Sequence, residues 1–130
     1  MIKYKYEILL ITFITLIGSC SGPIDESMVV GKYKANHNKC MDNLEIKSDG
    51  SFIHHYYNEK DGKEHTHGGR WRLKYENGYN NILFNTFFSA LPEYGENSFG
   101  FGTTVIKPIW GNLRIYIDPD LNYYYEKQNN

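Results

Sequence analysis

The chain has 130 residues, 41% of them hydrophobic and 22% charged, with a formal net charge of -1 and a mean hydropathy of -0.56. That length fits one domain, and the balance excludes a disordered chain, a multi-span membrane protein and a basic field that would draw nucleic acid. Aromatics make up 16%, with 12 Tyr and 7 Phe, while alanine occurs only at Ala35 and Ala90. So many rings with so little of the best helix former predict strands.

The chain opens with an address. Lys3 and Lys5 precede an uncharged apolar run, Ile8 to Ile17, and the small residues Gly18 and Ser19 follow before Cys20. This is the layout of a cleaved secretory leader. The run is about ten residues, too short to cross a hydrocarbon core roughly 30 Å thick. Ile17-Gly18-Ser19-Cys20 resembles the bacterial lipobox. The resemblance implies cleavage before Cys20, lipidation of its thiol and attachment to a cell-envelope membrane. The outer membrane is expected, with the protein facing the periplasm or the surface. The plainer alternative is a soluble secreted chain in which Cys20 is an incidental small residue. The domain plan is a signal peptide over 1–19, the lipidated cysteine and a short polar tether over 20–28, and one domain over 29–130. Cleavage removes Lys3, Lys5 and Glu7, so 14 basic and 15 acidic residues become 12 and 14. Cys40 is then the one remaining thiol, and no internal disulfide is available to the fold.

Short segments separated by turn residues follow. Strands are predicted at Val29 to Ala35, Leu44 to Lys47, Ser51 to Asn58, His65 to Tyr75, Asn81 to Phe87, Thr103 to Ile109, Leu113 to Ile117 and Tyr123 to Lys127. Ser48-Asp49-Gly50, Asp61-Gly62, Glu76-Asn77-Gly78, Gly111-Asn112 and Asp118-Pro119-Asp120 supply the turns, and a longer loop runs from about Phe88 to Gly102. About eight strands with hairpin-length links predict an all-β fold, a small antiparallel meander barrel behind the leader. Closure at that size leaves room for side chains or one small ligand, and it removes exposed sheet edges.

Val30-Gly31-Lys32-Tyr33, Lys47-Ser48-Asp49-Gly50-Ser51-Phe52, Gly68-Gly69-Arg70-Trp71-Arg72-Leu73 and Leu113-Arg114-Ile115-Tyr116-Ile117 resemble the small lipocalin-like lipoproteins of bacterial envelopes. The resemblance implies a meander barrel and a binding role, and it names no ligand.

Asp61-Gly62 read as a two-residue hairpin loop sets Asn58 opposite His65, Tyr56 opposite His67, His54 opposite Gly69 and Phe52 opposite Trp71. Alternation puts these residues on one face, pointing inward. Links after odd-numbered strands fall at one end, so His37, Asp61-Gly62, the Phe88–Gly102 loop and Asp118-Pro119-Asp120 share a rim. The first strand enters from the other end, and the rim is expected to face away from the membrane.

Three sets of residues are candidates for chemistry. Phe52, His54, Tyr56 and Trp71, with Phe99 and Phe101 of the long loop, would line or lid a ligand site in the barrel mouth. His54, His65 and His67, helped by His37 and Cys40, carry the donor types that bind zinc or copper. The bland reading makes them polar rim residues beside a small buried thiol. A copper-responsive envelope lipoprotein family with a similar opening carries Cys-x-x-Cys after its first strand, where this chain has His37 and Cys40. Tyr123, Tyr124 and Tyr125 read as packing for a terminal strand. No nucleophile elbow, phosphate-binding loop, dinucleotide fingerprint or His-Glu-x-x-His motif is present in the sequence, so no enzyme is expected. The expected function is non-catalytic binding of a small ligand or an envelope protein, without nucleic acid and without a required cofactor. One alternative is a zinc or copper binder built on the histidines. Another is a protective or inhibitory lipoprotein that docks an incoming protein through the long loop.

Overall fold

The computed structural model describes residues 22–87, 102–106 and 110–130. A single helical turn, α1 (Glu26–Val29), precedes eight strands among these residues. They are β1 (Gly31–Ala35), β2 (Asp42–Ile46), β3 (Ser51–Asn58), β4 (Lys63–Glu76), β5 (Tyr79–Phe84), β6 (Gly102–Ile106), β7 (Arg114–Asp118) and β8 (Tyr123–Lys127). Each strand pairs antiparallel with the next, and β8 returns to β1, so the sheet closes into an all-β meander barrel. The fold is compatible with the lipocalin-like resemblance.

Alternation decides which side chains fill the barrel. Asp42, Leu44 and Ile46 of β2 are buried, as are Phe52, His54 and Tyr56 of β3. Asn80, Ile82 and Phe84 of β5 and Tyr123 and Tyr125 of β8 follow the same rule. Phe52 meets Phe84 edge to face with ring centroids 4.9 Å apart. Trp71 donates its indole N–H to the Lys47 carbonyl at 2.9 Å, which lets a ring with a polar edge stay buried.

The first predicted strand starts two residues late because its opening is helical. The Asp25 side chain caps α1 by accepting from the Ser27 N–H at 2.8 Å, one of the donors that a helix start leaves unpaired. Val29 is fully buried, and the Tyr33 hydroxyl donates to its carbonyl. Upstream, the Ile24 N–H donates to Asn80 Oδ1 at 3.0 Å, and Asn80 Nδ2 donates to the Gly22 carbonyl at 3.2 Å. Lys127 Nζ donates to the Met28 carbonyl at 2.7 Å. The stretch expected as a tether is therefore docked from Gly22 onward. It lies at the end of the barrel that carries the β2–β3 and β4–β5 turns, here called the base.

The β3–β4 hairpin differs from the expected register. Its loop has four residues, Glu59 to Gly62, rather than two, and the ladder resumes at Asn58 opposite Lys63. The reason is local. Asn58 Oδ1 accepts from the Lys60 N–H and Asp61 Oδ1 from the Lys63 N–H, both at 2.9 Å. Gly62 closes the loop at φ 68°, donating to the Asn58 carbonyl at 2.9 Å. These side-chain turns compete with the tight hairpin and win. Phe52 then faces Gly69, His54 faces His67 and Tyr56 faces His65. A shift of two residues preserves the faces, so the inward set is unchanged.

Candidate functional site

The rim end of the barrel gathers the loops β1–β2, β3–β4 and β7–β8. Asp42 lies opposite Tyr56, and Tyr56 opposite His65. His37 reaches Asp42 at 2.9 Å, and Asn36 Nδ2 donates to the Asn122 carbonyl at 2.7 Å. His37 and His65 thus share one end, as the strand order predicted.

A buried carboxylate organises this end. Asp42 Oδ1 accepts from His54 Nε2 and from the Tyr125 hydroxyl, both at 2.6 Å. Its Oδ2 accepts from His37 Nε2 and from the Tyr123 hydroxyl, both at 2.9 Å. The side chains of Asp42 and His54 are wholly buried, and that of His37 is 11% exposed. Burial pushes the Asp42 carboxyl up. The hydrogen bonds from His37 and His54, the charge of His54 and the Tyr125 hydrogen bond outweigh it and hold the group at about 2. The site therefore keeps a carboxylate dry by surrounding it with four donors.

That charge fixes the protons around it. A carboxylate only accepts, so His37 and His54 each present Nε2–H and each hydroxyl points its proton at Asp42. The contacts of 3.1 Å from Tyr125 to His54 and 3.2 Å between the two hydroxyls follow from donors crowding one acceptor. The Nδ1 atoms of both rings are buried and have no hydrogen-bond partner among the described residues. His54 cannot turn to find one, because it is stacked between Phe87 at 4.7 Å and Tyr56 at 4.6 Å. Burial raises Tyr125 well above the ordinary phenol range, and the charges of Tyr123 and Asp42 add to it. The hydroxyl therefore stays a donor.

The predicted site residues distribute as follows. Phe52 and Trp71 are 1% and 7% exposed, so they are core packing rather than an open mouth. His54 and Tyr56 are also buried, the first as a ligand of Asp42. Phe99 and Phe101 lie outside the described residues, as does most of the Phe88–Gly102 loop. The metal set does not converge. His54 is bound to Asp42, His65 Nε2 bonds Asp61 Oδ2 at 2.6 Å, and His67 Nε2 bonds Thr86 Oγ1 at 3.0 Å. Among the described residues no group of three or more His, Cys, Asp or Glu is placed to hold a metal ion. The alternation of β4 does set His65 and His67 on one side, but each has a nearer partner, Asp61 in the β3–β4 loop and Thr86 just past β5. His67 is shifted down by burial and by the neighbouring His54. Cys40 is half-buried against the core and borders an open recess of about 330 Å³ with Lys34, His37 and Met41.

Asp42 went unnoticed in the sequence, although a signal was there. Counting back by two from Ile46 and Leu44 puts an acid on the inward face of β2. An inward acid needs donors, and His54, Tyr123 and Tyr125 sit on inward faces of the strands that supply them.

The chain matches no protein-family model, no curated protein and no solved structure.

Proposed function

We propose that the chain is a lipid-anchored protein of the bacterial cell envelope whose barrel is a non-catalytic binding module, engaging a partner protein at its rim. The observation that carries this reading is the packed interior. Phe52, His54, Ile82, Ile115 and Tyr125 are each at most 1% exposed, where a small-ligand carrier needs a concave apolar site. Close packing of these described interior residues favours binding at the surface. The non-catalytic part rests on the Asp42 cluster. All four hydrogen bonds to its carboxylate come from within the barrel, and the Nδ1 atoms of His37 and His54 are buried.

The anchor and the rim support each other. Residue 22 is held at the base, so a lipid on Cys20 would hold that end to the membrane and turn the histidine-bearing loops outward. Two measurements test the proposal. Cys20→Ser is expected to move the chain from the membrane fraction to the soluble fraction, and retention in the membrane would overturn the anchor. Native mass spectrometry of the chain purified from envelopes is expected to give the lipidated protein alone. A stoichiometric small molecule retained in the barrel would overturn the choice of partner protein over ligand.

A further inference from the structure

We infer that the base of the barrel is a membrane-docking face, which seats its exposed aromatic side chains in the headgroup region of a phospholipid bilayer. The inference rests on the lipid-anchored reading and goes beyond it, since a lipid on a free tether would fix no face.

Three large aromatic side chains stand exposed at one end of the molecule. Trp110 is 89% exposed, Tyr79 62% and Tyr75 43%. The strand order puts them together. Tyr79 opens β5 beside the turn from β4, where it pairs with Glu76. In the next ladder Asn80 faces Val105, and β6 then ends at Ile106 opposite Arg114. Trp110 lies in the link between those two residues, at the same end and on the neighbouring strand pair. A tryptophan so exposed forgoes the apolar burial that a core position would give. Tyr and Trp have an apolar body and a polar edge, and they concentrate at the membrane–water interface for that reason.

The second observation is where the N-terminal chain leaves the barrel. Asn80 is 4% exposed, adjoins Tyr79, and holds both the Gly22 carbonyl and the Ile24 N–H. Only two residue steps separate Gly22 from Cys20, at most about 7 Å of extended chain. A lipid on Cys20 therefore enters the bilayer beside this aromatic end, with too little slack for the barrel to turn another face down. Charge does not select the surface. Lys74 and Glu76 pair with each other at 2.9 Å at the end of β4, and Asp25, Glu26, Lys47 and Asp49 are mixed in sign. The docking is accordingly apolar, and it is expected to be insensitive to salt.

The two tryptophans differ in burial, Trp71 being 7% exposed beneath the β2–β3 turn and Trp110 89% exposed at the base. The full lipidated chain is reconstituted into vesicles of phosphatidylethanolamine and phosphatidylglycerol, a fraction of them brominated near the headgroup end of the acyl chains. Co-flotation with the vesicles is measured on the same sample. The expected result is flotation, a blue-shifted Trp110 emission, and loss of about half or more of the Trp110 signal to the brominated lipid. Trp110→Phe is expected to float equally well and to leave an emission from Trp71 that the bromine quenches several-fold less than that of Trp110. Flotation with an unshifted, unquenched Trp110 overturns the docking face and leaves the anchor standing. Failure of the lipidated chain to float overturns both.

Discussion

Replacing Asp42 by asparagine keeps the shape of the side chain and removes its charge. The substituted amide would retain one carbonyl oxygen, which suffices for His54 and Tyr125. Its NH2 group would then face His37 Nε2–H and the Tyr123 hydroxyl, two groups that now donate to Oδ2 at 2.9 Å. Tyr123 can rotate its proton away and accept, and His37 can move its proton to Nδ1. What is lost is the charge assistance on the remaining bonds, about 1 kcal/mol for each of two, plus the cost of a poorly aimed buried donor. The sum is roughly 2–4 kcal/mol, or roughly 8–16 °C in Tm for a domain of this size. Thermal and urea unfolding followed by near-ultraviolet circular dichroism measures it. The pH dependence gives a second handle. The folded carboxyl, at about 2, lies below its unfolded value. Its contribution, about 2 kcal/mol, is therefore complete above about pH 4 and is lost as the pH falls toward 2. The gap between the natural chain and Asp42→Asn is expected to narrow over that window. A loss below about 1 kcal/mol at pH 7, or a gap that does not narrow in acid, would refute the view of Asp42 as a charged hub.

Three further outcomes are expected. Gly69→Ala places a methyl 2.9 Å from Phe52 Cε1 and against Asn85 Oδ1, so it should destabilise the barrel by about 1–3 kcal/mol, read from the urea midpoint. Asn80→Ala frees the Gly22 and Ile24 backbone groups, so limited proteolysis should cut near residues 22–30 much faster than in the natural chain, with the barrel still folded by circular dichroism. Zinc added to the purified chain should leave its Tm unchanged, since His54, His65 and His67 are each engaged elsewhere. A rise in Tm that His54→Ala, His67→Ala abolishes would restore the metal reading.

Local chemistry made much of the fold legible. Asp49-Gly50 and Asn77-Gly78 turn the chain where predicted, with Gly50, Asn77 and Gly78 all at positive φ, because few other residues tolerate that backbone. Alternation then named the inward side chains of β3, and the even register shift could not spoil that. The shift itself was hidden, since it depends on Asn58 and Asp61 bonding the loop rather than on the Asp-Gly pair. The docked N-terminal stretch was hidden too, because a short polar segment looks the same whether or not Asn80 holds it. At the site, His37 and His54 stood out as imidazoles, but what they bind was not visible. The donor-rich pattern invited a metal, and the barrel instead supplied a carboxylate.

In the proposed orientation the rim faces a partner protein while the base faces the membrane. Photo-crosslinking in living cells tests it most directly. A benzophenone amino acid is placed at Leu121, 66% exposed in the β7–β8 turn, and separately at Arg72 on the outer wall of β4, with the lipidated chain otherwise intact. The expected result is a discrete protein adduct from Leu121 and none from Arg72. No adduct at the rim, or equal adducts at both positions, would contradict the account.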